Sequence, residues 1–203
     1  MTDRRAHWDT VYAEKAEDAV SWFEADARDR VALIARHVPD RAAALLDVGS
    51  GRTRLIPALV AAGYRDVTAL DISAEAVARA KVGTGVGPVA WVVADIAEWT
   101  PDRAYALWHD RAVLHFLTEA ADRDGYRRAL LAGTEPGSVA ILSAFAPDGP
   151  TMCSGLPVRR YGQAEFEAFL GPGFTTRESF PALHRTPGGA EQRFHVHVAW
   201  RLP

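Results

Sequence analysis

The chain has the length and composition of a single globular domain. Of its 203 residues, 48% are hydrophobic and 24% are charged, and 23 Lys and Arg against 26 Asp and Glu give a formal net charge of −3. A single cysteine excludes an internal disulfide framework and an all-cysteine zinc site. No dense basic run suggests a nucleic-acid partner, no apolar run is long enough to cross a membrane, and the first ten residues lack the apolar segment of a secretory signal. We therefore expect a cytoplasmic protein without a nucleic-acid or membrane partner.

Short β-rich runs alternate with helical patterns along the chain. Strands are predicted at residues 44–49, 67–72, 89–95, 105–109, 137–145, 175–181 and 193–202, and helices at 24–38, 53–62, 73–81, 118–132 and 163–170. Most of the early strands are apolar throughout, as strands covered on both faces must be. A hairpin through residues 186–189 would make the last strand antiparallel. The prediction is an α/β fold with an open, seven-stranded, mostly parallel sheet and helices on both faces.

A glycine-rich turn follows the first predicted strand. Gly49 and Gly51 permit a tight turn and let a ligand approach the backbone closely. In open α/β sheets ligands bind at the carboxyl ends of the strands, close to the point where the strand order reverses. The alternative is a plain strand-to-helix turn that merely uses glycine.

Three aspartates, Asp47, Asp71 and Asp95, lie at the ends of three successive predicted strands. A carboxylate at Asp71, 20 residues beyond the glycine turn, can accept hydrogen bonds from both hydroxyls of a ribose. Asp95 can accept one from the exocyclic amine of an adenine ring, with Ile72 and Ile96 available to enclose the base. Each aspartate alone could equally be a helix cap or a turn residue. Together they predict a site for a nucleoside.

The type of nucleoside cofactor is restricted by Arg54. A dinucleotide-binding turn needs a third glycine at this position, and a long charged side chain there argues against NAD and FAD. The phosphate-binding pattern of nucleotide hydrolases is also absent. The remaining class is a cofactor that contains adenosine but no diphosphate.

Residues 47–51, together with Asp71 and Asp95, resemble the class I S-adenosylmethionine-dependent methyltransferases. The resemblance covers residues 45–146 and extends to the final hairpin. It implies S-adenosylmethionine as cofactor, S-adenosylhomocysteine as product, and one domain over 1–203, with an N-terminal cap and helix at 1–40, a cofactor-binding core at 41–146 and a C-terminal part at 147–203. The cofactor contacts expected in the core are Asp47, Gly49, Ser50, Gly51, Thr53 (often glycine in the family), Asp71, Ile72, Asp95 and Ile96.

The N-terminal segment is rich in aromatic residues and resembles the cap of one branch of that family. This branch includes small-molecule methyltransferases of the thiopurine type and some protein-lysine methyltransferases. Trp8 and Tyr12 share a face if the segment is helical, and a ring beside the sulfonium would gain a cation–π contact. Alternatively, these rings only pack the segment onto the sheet, which is the role we expect for Trp22.

The segment after the fourth predicted strand holds two histidines, an acid and an arginine. In the family that this chain resembles, the segment lies beside the transferred methyl group. We predict cofactor contacts for His109 and Arg111, and we predict that His115 and, second, Asp110 accept a proton from the acceptor. The alternative is a structural Asp110–Arg111 pair with His115 packed against a helix.

The resemblance implies methyl transfer from S-adenosylmethionine to a nucleophile. The short chain lacks a large additional substrate domain, which favours a small-molecule acceptor. A protein-lysine methyltransferase and a non-catalytic domain that binds an adenosyl ligand remain as alternatives. No metal site is predicted, because His195 and His197 alternate on one strand face without a third ligand at a clear spacing.

Overall fold

The alternating pattern of the sequence produces a three-layer α/β structure. The computed structural model describes residues 4–52, 54–84, 87 and 89–203. Its α-helices are α1 (Arg4–Glu14), α2 (Arg28–His37), α3 (Leu55–Ala61), α4 (Ala74–Thr84), α5 (Ala120–Ala132) and α6 (Gln163–Leu170). Its strands are β1 (Ala44–Val48), β2 (Asp66–Asp71), β3 (Val89–Val93), β4 (Leu107–Arg111), β5 (Val139–Phe145), β6 (Met152–Cys153), β7 (Leu156–Pro157), β8 (Phe174–Arg185) and β9 (Glu191–Arg201).

Seven of these strands form one sheet in the order β3-β2-β1-β4-β5-β9-β8. Strands β1 to β5 pair in parallel, and β9 pairs antiparallel with both β5 and β8. This confirms the predicted fold class, including the antiparallel last strand. The strand order reverses beside β1, so the carboxyl ends of β1 and β4 flank the position where ligands bind in such sheets.

The sheet is covered on both faces because successive side chains of each strand point in opposite directions. In β1, Leu45 packs with Ile34 and Leu59 on one face, whereas Leu46 packs with Trp108 and Tyr126 on the other. All six side chains are essentially inaccessible to solvent. Two hydrophobic layers therefore hold the helices against the sheet.

Several elements differ from the sequence prediction, including a first helix at Arg4–Glu14 and a longer β8. The fourth strand covers Leu107–Arg111 rather than 105–109, the second helix begins at Arg28 rather than Glu24, and residues 152–157 form a small hairpin where only a loop was expected. The change in the fourth strand matters most, because it moves residues 110 and 111 from a loop into a strand. No helix in the described part of the chain has both the length and the apolar character needed to span a bilayer.

Helix α5 lies unusually close to the chain after β3. Gly125 of α5 is buried, and a Cβ atom at this position would overlap the carbonyl oxygen of Ala97. Because backbone rather than a flexible side chain occupies this space, only glycine fits there.

We predict that Gly125→Ala destabilises the protein by about 2 kcal/mol or more, since the added methyl forces backbone apart in a packed core. Gly83→Ala on α4 is the matched control, because a Cβ there meets nothing within 4 Å. Its gain in helix propensity should leave stability unchanged or raise it by up to about 1 kcal/mol. Urea unfolding of both variants measures the difference, and equal effects would contradict the close packing.

Candidate active site

A cavity lies between the carboxyl ends of β1 to β4 and the N-terminal segment. Most of the residues predicted to contact a cofactor line it: Trp8, Tyr12, Asp47, Gly49, Asp71, Ile72, Asp95, Ile96 and Arg111. Ser50, Gly51 and His109 lie directly behind this lining, and Thr53 lies outside the described residues. The sheet thus brings together side chains that are far apart in the sequence.

The glycine turn after β1 has the conformation that its composition requires. Gly49 and Gly51 have φ angles of 66° and 51°, in the left-handed region that favours glycine. A Cβ on Gly49 would overlap Val113, and one on Gly51 would lie 2.5 Å from the Tyr12 hydroxyl oxygen. The Ser50 N–H between them donates to the Leu70 carbonyl at 2.9 Å, which fixes the turn to the end of β2.

Asp71 ends β2 beneath this turn and is 4% exposed. Its two carboxylate oxygens accept the N–H groups of Gly51 and Ser73, each at 2.8 Å. Burial raises the pKa of Asp71 to about 6, the negative charges of Asp47 and Asp9 add to the rise, and the two backbone hydrogen bonds oppose it. A ribose hydroxyl donating to this carboxylate would therefore stabilise its ionised form.

Asp47 and His109 are neighbours in the β1–β4 ladder. The Nδ1 atom of His109 lies 2.6 Å from an Asp47 carboxylate oxygen, and both side chains are buried. Asp47 reaches the cavity, whereas His109 does not line it. His109 therefore orients Asp47 and does not itself reach the cavity, although the sequence predicts that it contacts the cofactor.

Asp95, which follows β3, is held by two different segments. One of its oxygens accepts the Ala97 N–H at 2.9 Å, and the other pairs with the Arg4 guanidinium of α1 at 2.8 Å. Arg4 also pairs with Asp122 of α5 at 2.6 Å. Arg4 was not predicted as part of the site, since no local pattern connects it to an acid 91 residues away.

Four aromatic rings form the wall of the cavity opposite the sheet. Trp8 contacts the rings of Trp22 and Phe116 with centroids 5.7 and 5.0 Å away, and Tyr12 lies 6.1 Å from Trp22. All four line the cavity. Trp22, expected only to pack, is therefore part of the site, and Phe116 joins it without having been predicted.

Two arginines that line the cavity, Arg30 and Arg111, share one glutamate that does not line it. Glu24 pairs with Arg30 at 2.6 Å and with Arg111 at 3.0 Å. Arg111 also donates to the Trp22 carbonyl at 3.2 Å and lies over the Phe194 ring, 5.0 Å from its centroid. Burial lowers the pKa of Arg111 to about 10, which leaves the side chain charged at neutral pH.

Comparison with known proteins identifies this arrangement. Residues 45–137, from the start of β1 to the turn before β5, match the family model described as a methyltransferase domain. The chain carries a methyltransferase domain. No curated protein sequence matches the chain.

Three solved structures with the same fold are distant in sequence from this methyltransferase. An S-adenosylmethionine-dependent methyltransferase from Anabaena variabilis is 12% identical over 97% of this chain and 93% of that chain, with a TM-score of 0.74. The 1,6-didemethyltoxoflavin-N1-methyltransferase of Burkholderia thailandensis, with bound 1,6-didemethyltoxoflavin and S-adenosylhomocysteine, is 22% identical over 98% and 84%, with a TM-score of 0.70. The glycopeptide N-methyltransferase MtfA with S-adenosylhomocysteine is 18% identical over 98% of each chain, with a TM-score of 0.68. At these identities the likeness establishes the fold.

The two residues predicted to accept a proton do not line the cavity of the methyltransferase. Asp110 is fully buried and accepts the N–H groups of Val113 and Leu114 at 2.9 and 3.0 Å and the Tyr126 hydroxyl at 2.7 Å. Tyr126 in turn accepts the indole N–H of Trp108 at 2.9 Å. Burial raises the pKa of Asp110 to about 6. The structure therefore gives Asp110 the role of holding the turn after β4, and does not support the prediction that it accepts a proton.

His115 is also fully buried, beside the rings of Phe116 and Phe145. Neither of its ring nitrogens has a hydrogen-bond partner among the described residues. Burial and, second, the charge of Arg111 lower its pKa to about 3. The predicted role of His115 as proton acceptor is not supported either, because its ring lies behind Phe116 rather than in the cavity.

We predict that His115→Phe makes the methyltransferase less sensitive to acid. Since the pKa of His115 is about 3 in the folded protein and ordinarily 6.5, only the unfolded chain binds a proton between these values. The wild type should lose about 1.4 kcal/mol of stability through this residue per pH unit below 6.5, and the variant should not. Urea unfolding of both proteins at several pH values measures this difference in stability. The contributions of the acidic residues, which both proteins share, cancel when the two pH profiles are subtracted. Parallel pH profiles would contradict the burial of a neutral imidazole.

Proposed function

We propose that the methyltransferase binds S-adenosylmethionine in this cavity and transfers its methyl group to a small molecule. The observation that carries the proposal is the enclosure of the cavity by the chain's own N-terminal segment. Trp8 and Tyr12 of α1, and Trp22 beyond it, cover the strand ends on the side from which a folded protein substrate would have to approach. The space inside therefore favours a small acceptor.

The residues at the strand ends fit the cofactor. The glycine turn presents backbone without a Cβ atom, as the tail of the cofactor requires, and Asp71 offers a buried carboxylate to the ribose. Ile72 and Ile96 offer apolar surface to the adenine, and Asp95 would accept its amine after giving up Arg4. The acids Asp47, Asp71 and Asp95 also suit the positive charges of the sulfonium and the amino group.

Bound S-adenosylmethionine supplies an electrophilic methyl group on a sulfonium, which a lone pair of the acceptor can displace in one step as the carbon–sulfur bond breaks. The protein's contribution is then alignment and exclusion of water. Trp8, Tyr12, Trp22 and Phe116 exclude water, and their faces suit the sulfonium charge. Because Asp110 and His115 lie off the cavity, an acceptor that arrives deprotonated fits this site best.

The relatives with the same fold support a small acceptor. The toxoflavin enzyme was crystallised with its small heterocyclic substrate, and MtfA methylates a glycopeptide. Incubation with S-adenosylmethionine labelled in the methyl group, first with a small-molecule extract and then with a protein extract, tests the proposal. Label in the small-molecule fraction supports it. Label confined to protein would favour a protein-lysine methyltransferase, and no transfer despite cofactor binding would favour a non-catalytic domain.

We predict that affinity for S-adenosylhomocysteine falls as the pH drops below about 6. Protonation of Asp71, whose pKa is about 6, removes the carboxylate that would accept the ribose hydroxyls. The loss should approach about tenfold per pH unit if only the ionised form binds. Asp71→Asn should bind more weakly by about 1–3 kcal/mol and show a flatter pH profile.

Calorimetry between about pH 5 and 8 measures this dependence. Asp66→Asn is the matched control, because Asp66 lies at the opposite end of the same strand and pairs with Arg103 on the surface. It should keep the wild-type affinity and pH profile. An unchanged profile in Asp71→Asn would contradict the ribose contact.

We also predict that hydrogen exchange in α1 and in residues 17–24 slows when S-adenosylhomocysteine binds. Asp9 of α1 accepts the Ser73 hydroxyl at 2.6 Å, so α1 is anchored to the start of α4, next to the proposed ribose site. Asp9→Ala should increase exchange in α1 of the free protein, while α6 on the far side remains unaffected. Equal exchange in the free and bound protein would show that the segment only packs against the sheet.

A further inference from the structure

Arg4 and Asp95 form an ion pair in the wall of the cavity. Both side chains line the cavity, and they are 28% and 15% exposed. One Asp95 oxygen accepts the Ala97 N–H at 2.9 Å, so the other oxygen, 2.8 Å from Nη2 of Arg4, remains for a ligand. A cation of the chain itself therefore holds the acceptor that the adenine amine needs.

The position of Arg4 separates it from the tail of the cofactor. The glycine turn that would take the tail follows β1, whereas Asp95 follows β3, two strands further along the sheet. Neighbouring strands lie about 4.8 Å apart, so the two places are about 10 Å from each other. The carboxylate of the tail would lie at the other end of the site, and the group that meets Arg4 is the adenine.

A second acid can take up Arg4 when it leaves Asp95. The Nη1 atom of Arg4 lies 2.6 Å from one carboxylate oxygen of Asp122, in the first turn of α5, and Nη2 lies 3.4 Å from the other. This 3.4 Å exceeds the 2.8 Å between Nη2 and Asp95 by about 0.6 Å, so a small rotation brings Nη2 into a full hydrogen bond with Asp122. The result is a bidentate pair of guanidinium and carboxylate, a strong form of ion pair.

We propose that Arg4 competes with the adenine amine for Asp95 and turns fully onto Asp122 when S-adenosylmethionine or S-adenosylhomocysteine binds. The proposal rests on the proposed function and adds an autoinhibitory contact to it. The guanidinium keeps a carboxylate partner in both positions, so its charge is never left unpaired. The exchange therefore costs the strength of one partly exposed ion pair, which corresponds to about a two- to fivefold change in affinity.

Arg4→Met tests the competition, because methionine keeps an apolar stem and removes the charge. The variant should bind S-adenosylhomocysteine about two- to fivefold more tightly than the wild type in calorimetry at low salt. The gain should shrink as salt is added, since screening weakens the pair between Arg4 and Asp95 in the wild type. Arg103→Met is the matched control, because Arg103 pairs with Asp66 on the surface, and it should keep the wild-type affinity.

S-inosylhomocysteine separates competition for Asp95 from a general effect on the cavity. Its base carries an oxygen where adenine carries the amine, so it can accept a hydrogen bond from Arg4 instead of competing with it. Arg4→Met should therefore bind this ligand no more tightly than the wild type does. A similar gain for both ligands would show that the arginine merely obstructs the cavity, which contradicts the proposal.

Asp122→Asn provides a second variant with an effect of the opposite sign. It removes the carboxylate that receives Arg4, so the guanidinium pairs with Asp95 alone. S-adenosylhomocysteine should then bind about twofold or more weakly than to the wild type. In the Arg4→Met background the same substitution should have no effect, since no guanidinium is left to receive. The single Asp122→Asn variant tests the proposal even if Arg4→Met does not fold.

The outcomes separate the two proposals. Failure of both the wild type and Arg4→Met to bind S-adenosylhomocysteine would contradict the proposed function itself. If the wild type binds and Arg4→Met binds equally or more weakly, Arg4 does not compete with the amine, and only the exchange is overturned. An unchanged affinity in Asp122→Asn would overturn the exchange as well.

Discussion

The carboxylate of Asp71 connects three segments that would otherwise be independent. It accepts the N–H of Gly51 in the turn after β1 and the N–H of Ser73 at the start of α4. The Ser73 hydroxyl caps α4 by accepting the Ala76 N–H, and it donates to Asp9 of α1. The glycine turn, the first turn of α4 and the N-terminal helix therefore depend on one buried acid. Burial raises the pKa of Asp71 to about 6 and so disfavours its ionised form. The hydrogen bonds from Gly51 and Ser73 oppose this effect of desolvation.

The parts of the site that depend on local sequence could be predicted from the sequence. A strand, a tight turn and a helix start are all encoded within residues 45–55, and Gly49 adopts the positive φ that its position requires. Asp71 is the last residue of β2 and Asp95 lies two residues after β3, so their place at the carboxyl ends of the strands follows from the strand positions. The order of the strands was not predicted, because no local pattern encodes it.

The segment around residue 110 shows where sequence reasoning failed. A strand predicted to end at His109 left Asp110 and Arg111 in a loop, where neighbouring side chains can converge on one ligand. The observed strand continues to Arg111, and strand geometry then sends alternate side chains to opposite faces. His109 and Arg111 point to one face, and Asp110 points to the other, toward Trp108 and Tyr126. An extension of two residues thus divides a group that looked like one catalytic cluster.

Long-range pairs could not be predicted from a single sequence. The pair between Arg4 and Asp95 and that between Glu24 and Arg111 each join the N-terminal segment to strand ends far along the chain. Periodicity and local motifs carry no information about such pairs. These pairs fix the N-terminal segment over the cavity, whereas the glycine turn and the acids at the strand ends belong to local motifs, which is why only the motifs could be anticipated in detail.

The position of α1 has a practical consequence for work with the protein. Arg4, in the first turn of α1, already contacts two acids beside the cavity, so an affinity tag fused ahead of it would begin at the entrance of the site. The last residues of the chain lie at the other end of the strands, since the end of β9 pairs with the first residues of β5. Trp200 and Arg201 therefore lie about one strand length away from the glycine turn. Purification handles, fluorophores and surface attachments belong at the carboxyl terminus, where they leave ligand entry free.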